Sequence, residues 1–202
     1  MYEILQTLAM AFAIGLTGAL APGPTLVATV NSSLKDGWIA GPRVAAGHAL
    51  VEVLVFVFIV GGLAAAMQQY SKTISIIGGL ALIVFGIMTA KESRNAAISM
   101  QAGQATGSAM FAGIVTSAAN PYFWIWWLSV GSALVLNSLN SGMIMAIAFM
   151  IGHWGADFGW YILISGSLDR GRSILSLNNY RRILGVCGVF LVCFGLYFLS
   201  SA

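Results

Sequence analysis

Gly47-His48-Ala49-Leu50-Val51-Glu52 lies inside a long apolar run, and the pattern returns about a hundred residues later as Gly152-His153-Trp154-Gly155-Ala156-Asp157. Each copy sets an imidazole and a carboxylate four residues apart, which on a helix means one face, one turn apart. Apart from Glu52 and Asp157, the apolar runs hold no carboxylate well away from their ends. An ionisable group at such depth requires a partner, a wet cavity or a functional role. The repeated motif therefore predicts membrane-spanning helices that carry a buried polar site.

Composition agrees. The 202 residues are 59% hydrophobic and 7% charged, whereas soluble domains are about a quarter charged. Mean hydropathy is +0.90, so there are too few charges to cover a water-facing surface. The net charge of +3 does not point to nucleic acid, because the basic residues sit at the ends of apolar runs, where orientation signals belong. Twenty-four glycines suit helices that approach closely through small residues. The N-terminus has no basic leader region and no small-residue cleavage site, so the first segment reads as a retained membrane helix.

Six apolar segments are long enough for a hydrocarbon core about 30 Å thick. They run over about residues 2–31, 39–67, 73–90, 108–136, 143–165 and 183 to the C-terminus. Lys35 and Arg43, Lys91 and Arg94, and Arg170, Arg172, Arg181 and Arg182 fall in the loops after segments one, three and five, and Lys72 alone falls on the other side. The positive-inside rule places those loops in the cytoplasm and both termini outside.

The halves echo one another. Pro22 answers Pro121, His48 and Glu52 answer His153 and Asp157, and Gly79 and Gly86 answer Gly188 and Gly195. Three spans repeated once must insert upside down the second time, a recurrent plan of secondary transporters. The fold expected is an all-α polytopic membrane protein, with six transmembrane helices as two inverted-topology three-helix repeats. Repeat one covers about 1–92, a flexible loop about 93–107, and repeat two about 108–202, in a single membrane domain.

Pro22-Gly23-Pro24 cannot continue a straight helix, since proline lacks a backbone donor and clashes one turn back. Backbone groups freed at membrane depth persist only where protein or water satisfies them, and a restarted helix offers amide donors to an anion. Thr25, just past the break, can cap that helix or bind ligand.

Ala21-Pro22-Gly23-Pro24-Thr25 resembles the Pro-Gly-Pro signature of the lysine-exporter (LysE) family of amino-acid efflux proteins, and Asn120-Pro121 resembles that family's second, Asn-Pro motif. The resemblance covers essentially the whole chain. It implies proton-linked export of an amino acid or related small solute from the cytoplasmic membrane of a prokaryote. Many members follow Asn-Pro with a lysine, whereas Tyr122-Phe123-Trp124 follows here, so no role of that lysine and no substrate carries over.

Glu52 and Asp157 can each carry a proton, and apolar surroundings disfavour an ionised carboxyl. His48 and His153 can relay that proton or hold the carboxylates. An ionised acid also binds an ammonium group, so proton and substrate compete, which suffices for antiport. The plainer alternative is two His–carboxylate pairs satisfying each other inside the bundle. A rival reading has His48, Glu52, His153 and Asp157 binding a divalent metal cargo for efflux. Trp160 and Tyr161, about one turn past Asp157, are expected as pocket walls, and the aromatic run 122–127 as interfacial belt or packing. Enzyme chemistry is not expected, since no nucleophile or HExxH motif is present. No cofactor and no nucleic-acid partner is expected; the expected partners are a small-molecule substrate, protons and membrane lipid, with monomer or homodimer left open.

Overall fold

The computed structural model describes residues 2–20, 23–62, 71–95, 108–171 and 177–200. They form helices, with no strand among them. Helix α1 (Tyr2–Ala19) is followed by a break and by α2 (Pro24–Asp36), which turns within three residues into α3 (Ala40–Val60). After α4 (Ser71–Asn95) comes α5 (Ala109–Ala118), which ends at a second break. Helix α6 (Pro121–Trp126) continues through a π-helical turn at Trp127–Gly131 into α7 (Ser132–Asn140). The chain finishes with α8 (Met143–Gly171) and α9 (Leu177–Ser200).

Tyr2–Ala19, Ala40–Val60, Pro121–Asn140 and Met143–Gly171 are each long and apolar enough to cross a membrane. Leu54, Val57, Ile144 and Leu163 are more than half exposed, while Glu52, His153 and Asp157 are buried. That inverts the usual distribution of a water-soluble domain. The chain is a polytopic membrane protein.

Both helix breaks follow from proline. Pro24 opens α2 after an extended Gly23 at φ −146° and ψ −175°, a position where the missing N–H goes unused. Asn120, at φ −86° and ψ 111°, precedes Pro121, in the extended conformation that a following proline favours. Its Oδ1 accepts the Tyr122 N–H at 3.1 Å. Pro22 lies outside the described residues.

Several helices outlast their apolar runs. α2 continues past residue 31 to Asp36, α7 past 136 to Asn140, and α8 past 165 to Gly171. A polar last turn keeps its internal hydrogen-bond ladder on leaving lipid, so hydropathy alone misses it. At the end of α2, Gly37 takes φ 75° and its N–H bonds Ser33 O at 2.9 Å. A side chain there would be strained, and would also lie 2.9 Å from Asp169 Oδ1. The expected loop over 93–107 begins later, since α4 runs to Asn95, and residues 96–107 lie outside the described residues.

Close approaches at small residues set the direction of packing. Leu8 lies against Gly152, Gly15 against His153 and Ala156, and Gly37 against Asp169, so α1 and α2 follow α8 in parallel. Val44 meets Gly113, His48 meets Ser117 and Glu52 meets Trp127, so α3 runs parallel to α5 and α6. Helices α4 and α9 cross antiparallel, with Gly79 on the carbonyl of Gly195 and Gly86 on that of Gly188. Helix α2 also packs along α5, whereas α1 and α7 have no comparable packing among the described residues. The core, with Val51, Val55, Ile59, Phe123, Trp126, Trp127 and Phe149, forms beside the second break.

Candidate functional site

The two His–carboxylate motifs converge. Glu52 Oε1 lies 3.1 Å from His48 Nε2, on its own helix, and 3.0 Å from His153 Nε2 on α8. Trp127 Nε1, in the π-helical turn, donates to the same oxygen at 3.2 Å. Asp157 sits beside them, its Oδ2 3.4 Å from His153 Nε2 and its Oδ1 4.0 Å from His48 Nε2. All four side chains are buried, apart from 12% exposure of His48. Four-residue spacing puts each pair on one helical face, and parallel packing of α3 and α8 against the broken helices brings those faces together.

Three nitrogens on one carboxylate oxygen make a strong acceptor site, because bonds to a charged group are about twice as strong as neutral ones. Its other oxygen, Oε2, is buried without a protein partner, as are Asp157 Oδ2 and His153 Nδ1 in hydrogen-bonding terms. His48 Nδ1 is differently placed, 2.6 Å from Ser117 Oγ, which itself donates to Gly113 O at 2.7 Å.

A partly open cavity lies against this cluster. Glu52, His48, His153 and Asp157 line one wall, and Gly18, Gly23, Thr25, Leu26 and Asn120 bring the two helix breaks to it. Tyr122, Phe123, Trp126, Trp127 and Tyr161 complete it. A lining that is mainly apolar with a few convergent polar groups is that of a small-molecule site. The two breaks present different ends. Asn120 caps α6 with its own side chain, whereas α2 starts at Gly23 with no side-chain cap. First-turn N–H groups there have no partner within the helix.

Residues 16–202 match the family described as LysE type translocator. The chain belongs to the LysE type translocator family. It is therefore a membrane transporter and not an enzyme. It is also 28% identical over 198 residues to the Bacillus subtilis (strain 168) protein named "Putative amino acid efflux protein YcgF", with 92% of this chain and 91% of that protein covered. No solved structure matches the chain.

Within this LysE-type translocator, the residues expected at the site fall into three groups. His48, Glu52, His153, Asp157, Gly23, Thr25, Asn120 and Tyr161 line the cavity. Pro24 and Pro121 are buried beside it as the first residues of α2 and α6. Trp160 is not among the lining residues, since one helical position separates it from Tyr161 by about 100°. Its Nε1 is buried without a partner. Tyr161 instead lines the cavity with Thr25, its ring 6.1 Å from that of His48 between centroids.

Sequence reasoning missed Ser117 and assigned the 122–127 aromatics to belt or packing. Phe123, Trp126 and Trp127 are buried against His48 and His153, with Trp126 4.9 Å from the His153 ring between centroids. Their position directly after Asn120-Pro121 was the available signal, because a restarted helix carries its next residues into the cavity that the break opens. Regarding a metal, His48, Glu52 and Asp157 can bring ligand atoms within 4.8 Å of one another.

Proposed function

We propose that this translocator exports an amino acid or similar small amphoteric metabolite across the cytoplasmic membrane of a prokaryote by proton antiport. The convergence of two carboxylates and two imidazoles on a cavity between two broken helices carries this reading. An ammonium group suits the unpartnered oxygens of Glu52 and Asp157, and a carboxylate suits the uncapped start of α2. Protonation of either acid removes the charge that holds the ammonium, so a proton taken from one side releases substrate there. The amino acid efflux relative favours this cargo over a divalent metal.

The architecture proposed is six spans in inverted three-helix repeats, about 1–92 and 108–202, with both termini outside. Exchanging the halves maps the parallel pairing of α1 with α8 onto that of α5 with α3, and maps the α4–α9 crossing onto itself. Such exchange supports a two-fold relation in the membrane plane. The contact that breaks the symmetry is α2 along α5; its counterpart, α1 against α6 and α7, is slight, with Trp126 Nε1 donating to Thr17 Oγ1 at 3.4 Å. That fits a state closed toward Lys35 and Arg43 and open on the opposite side, with rocking to the reverse arrangement completing transport.

The test is uptake of a panel of labelled amino acids into proteoliposomes under an imposed pH gradient, with divalent metals in parallel. Gradient-dependent amino-acid flux, lost in Asp157→Asn, is the expected result. Metal flux without amino-acid flux would overturn the assignment, and full activity in the variant would reduce the mirrored pairs to a structural role.

A further inference from the structure

We propose that Ser117 is a positioning residue that holds His48 in one tautomer, and so commits the Nε2 edge of that ring to exchanging a proton with Glu52. The proposal rests on the reading of His48 and Glu52 as the proton-coupling pair.

Ser117 is buried on α5, one turn past Gly113. A serine hydroxyl has a single proton to give. Here it goes to the carbonyl of Gly113 at 2.7 Å. A lone pair of Oγ then faces His48 Nδ1 at 2.6 Å, so the nitrogen must donate, and Nδ1 carries a proton. A neutral imidazole protonated at Nδ1 has only a lone pair at Nε2. That nitrogen is 3.1 Å from Glu52 Oε1.

The pair therefore has two states. In one, His48 is an imidazolium and Glu52 a carboxylate. In the other, His48 is neutral with its proton on Nδ1 and Glu52 is a carboxylic acid. Passage between them breaks the Nε2–H bond and forms an Oε1–H bond, moving one proton and no other atom. The Nδ1–H···Oγ bond persists in both, so the ring need not rotate. Other groups facing His48 are Asp157 Oδ1 at 4.0 Å, and the rings of Tyr161 and Phe123 at 6.1 and 5.4 Å between centroids. His153 reaches it only across Glu52.

The mirrored histidine lacks this device. His153 Nδ1 is buried without a partner, and the residue beside it is Gly15, where a Cβ would already lie 2.8 Å from that nitrogen. The two imidazoles are thus alike in sequence and unequal in role. His48 is anchored at its far edge by Ser117, whereas the far edge of His153 has no protein partner.

Full-length protein in nanodiscs, labelled with ¹⁵N-histidine, tests this directly. The chain has two histidines, and His153→Gln assigns the remaining signal. His48 is expected to keep Nδ1 protonated at every pH and never to show a neutral Nε2–H form. Ser117→Ala is expected to bring in that form, displace the pH optimum of gradient-driven flux and lower the flux about tenfold, the scale of one lost hydrogen bond to a charged group. Ser117→Thr, which keeps the hydroxyl, is expected to restore both. A neutral Nε2–H tautomer in the unaltered protein would overturn the proposal, as would a Ser117→Ala spectrum and pH profile unchanged from wild type. The spectrum needs no substrate: an Nδ1–H ring in a protein without proton-linked flux would support the positioning role while removing the antiport reading.

Discussion

Replacing Glu52 with glutamine isolates the charge on which the site is built. The amide keeps the shape and one carbonyl oxygen, yet Oε1 now meets His48 Nε2, His153 Nε2 and Trp127 Nε1 without a negative charge. A hydrogen bond to a charged group contributes about 1.5–3 kcal/mol, and a neutral one about 0.5–1.5 kcal/mol. Three bonds weakened by roughly 1 kcal/mol each give about 3 kcal/mol. Glu52 is fully buried, so salt screens little of it. At about 1.4 kcal/mol per tenfold, this corresponds to a loss on the order of a hundredfold. The assay is initial-rate flux of the accepted amino acid into proteoliposomes under a fixed pH gradient, with matched protein insertion. A Glu52→Gln variant that retains wild-type rate and gradient dependence would refute the reasoning, because the carboxylate would then be only a structural acceptor.

Trp127→Phe keeps a ring in the π-helical turn and deletes one donor to Glu52; flux should fall about tenfold, measured in the same assay at matched protein insertion. Gly86→Val forces a Cβ to within 2.6 Å of the Gly188 carbonyl, and overpacking of this kind costs about 1–3 kcal/mol. Its melting temperature should drop, whereas Gly159→Ala, with nothing within 4 Å of the new methyl, should leave it level or higher. Gly18→Cys lines the cavity, with its nearest neighbour, Trp126, 3.9 Å away. On a background lacking Cys187 and Cys193, a membrane-impermeant thiol reagent added outside should label it, and substrate should protect it.

The membrane class and both helix breaks were legible in the chain itself. So few charges cannot cover a soluble surface, and proline interrupts a helix by local chemistry wherever it stands. The four-residue spacing of His48–Glu52 and His153–Asp157 likewise determines a shared face, because helical geometry is local. Helix ends were less legible, as at α2 and α8, since a backbone ladder continues after hydropathy has faded. Tertiary structure alone decided that the two faces meet on one oxygen of Glu52, that Trp127 joins them, and that Trp160 lies off the cavity while Tyr161 lines it. It also decided that Ser117 stands behind His48 and Gly15 behind His153. The physical reason is the same in each case. Which residues share a helix face is set by sequence spacing, but which faces touch depends on small residues such as Gly47, Gly113 and Gly152, whose missing side chains let particular backbones approach.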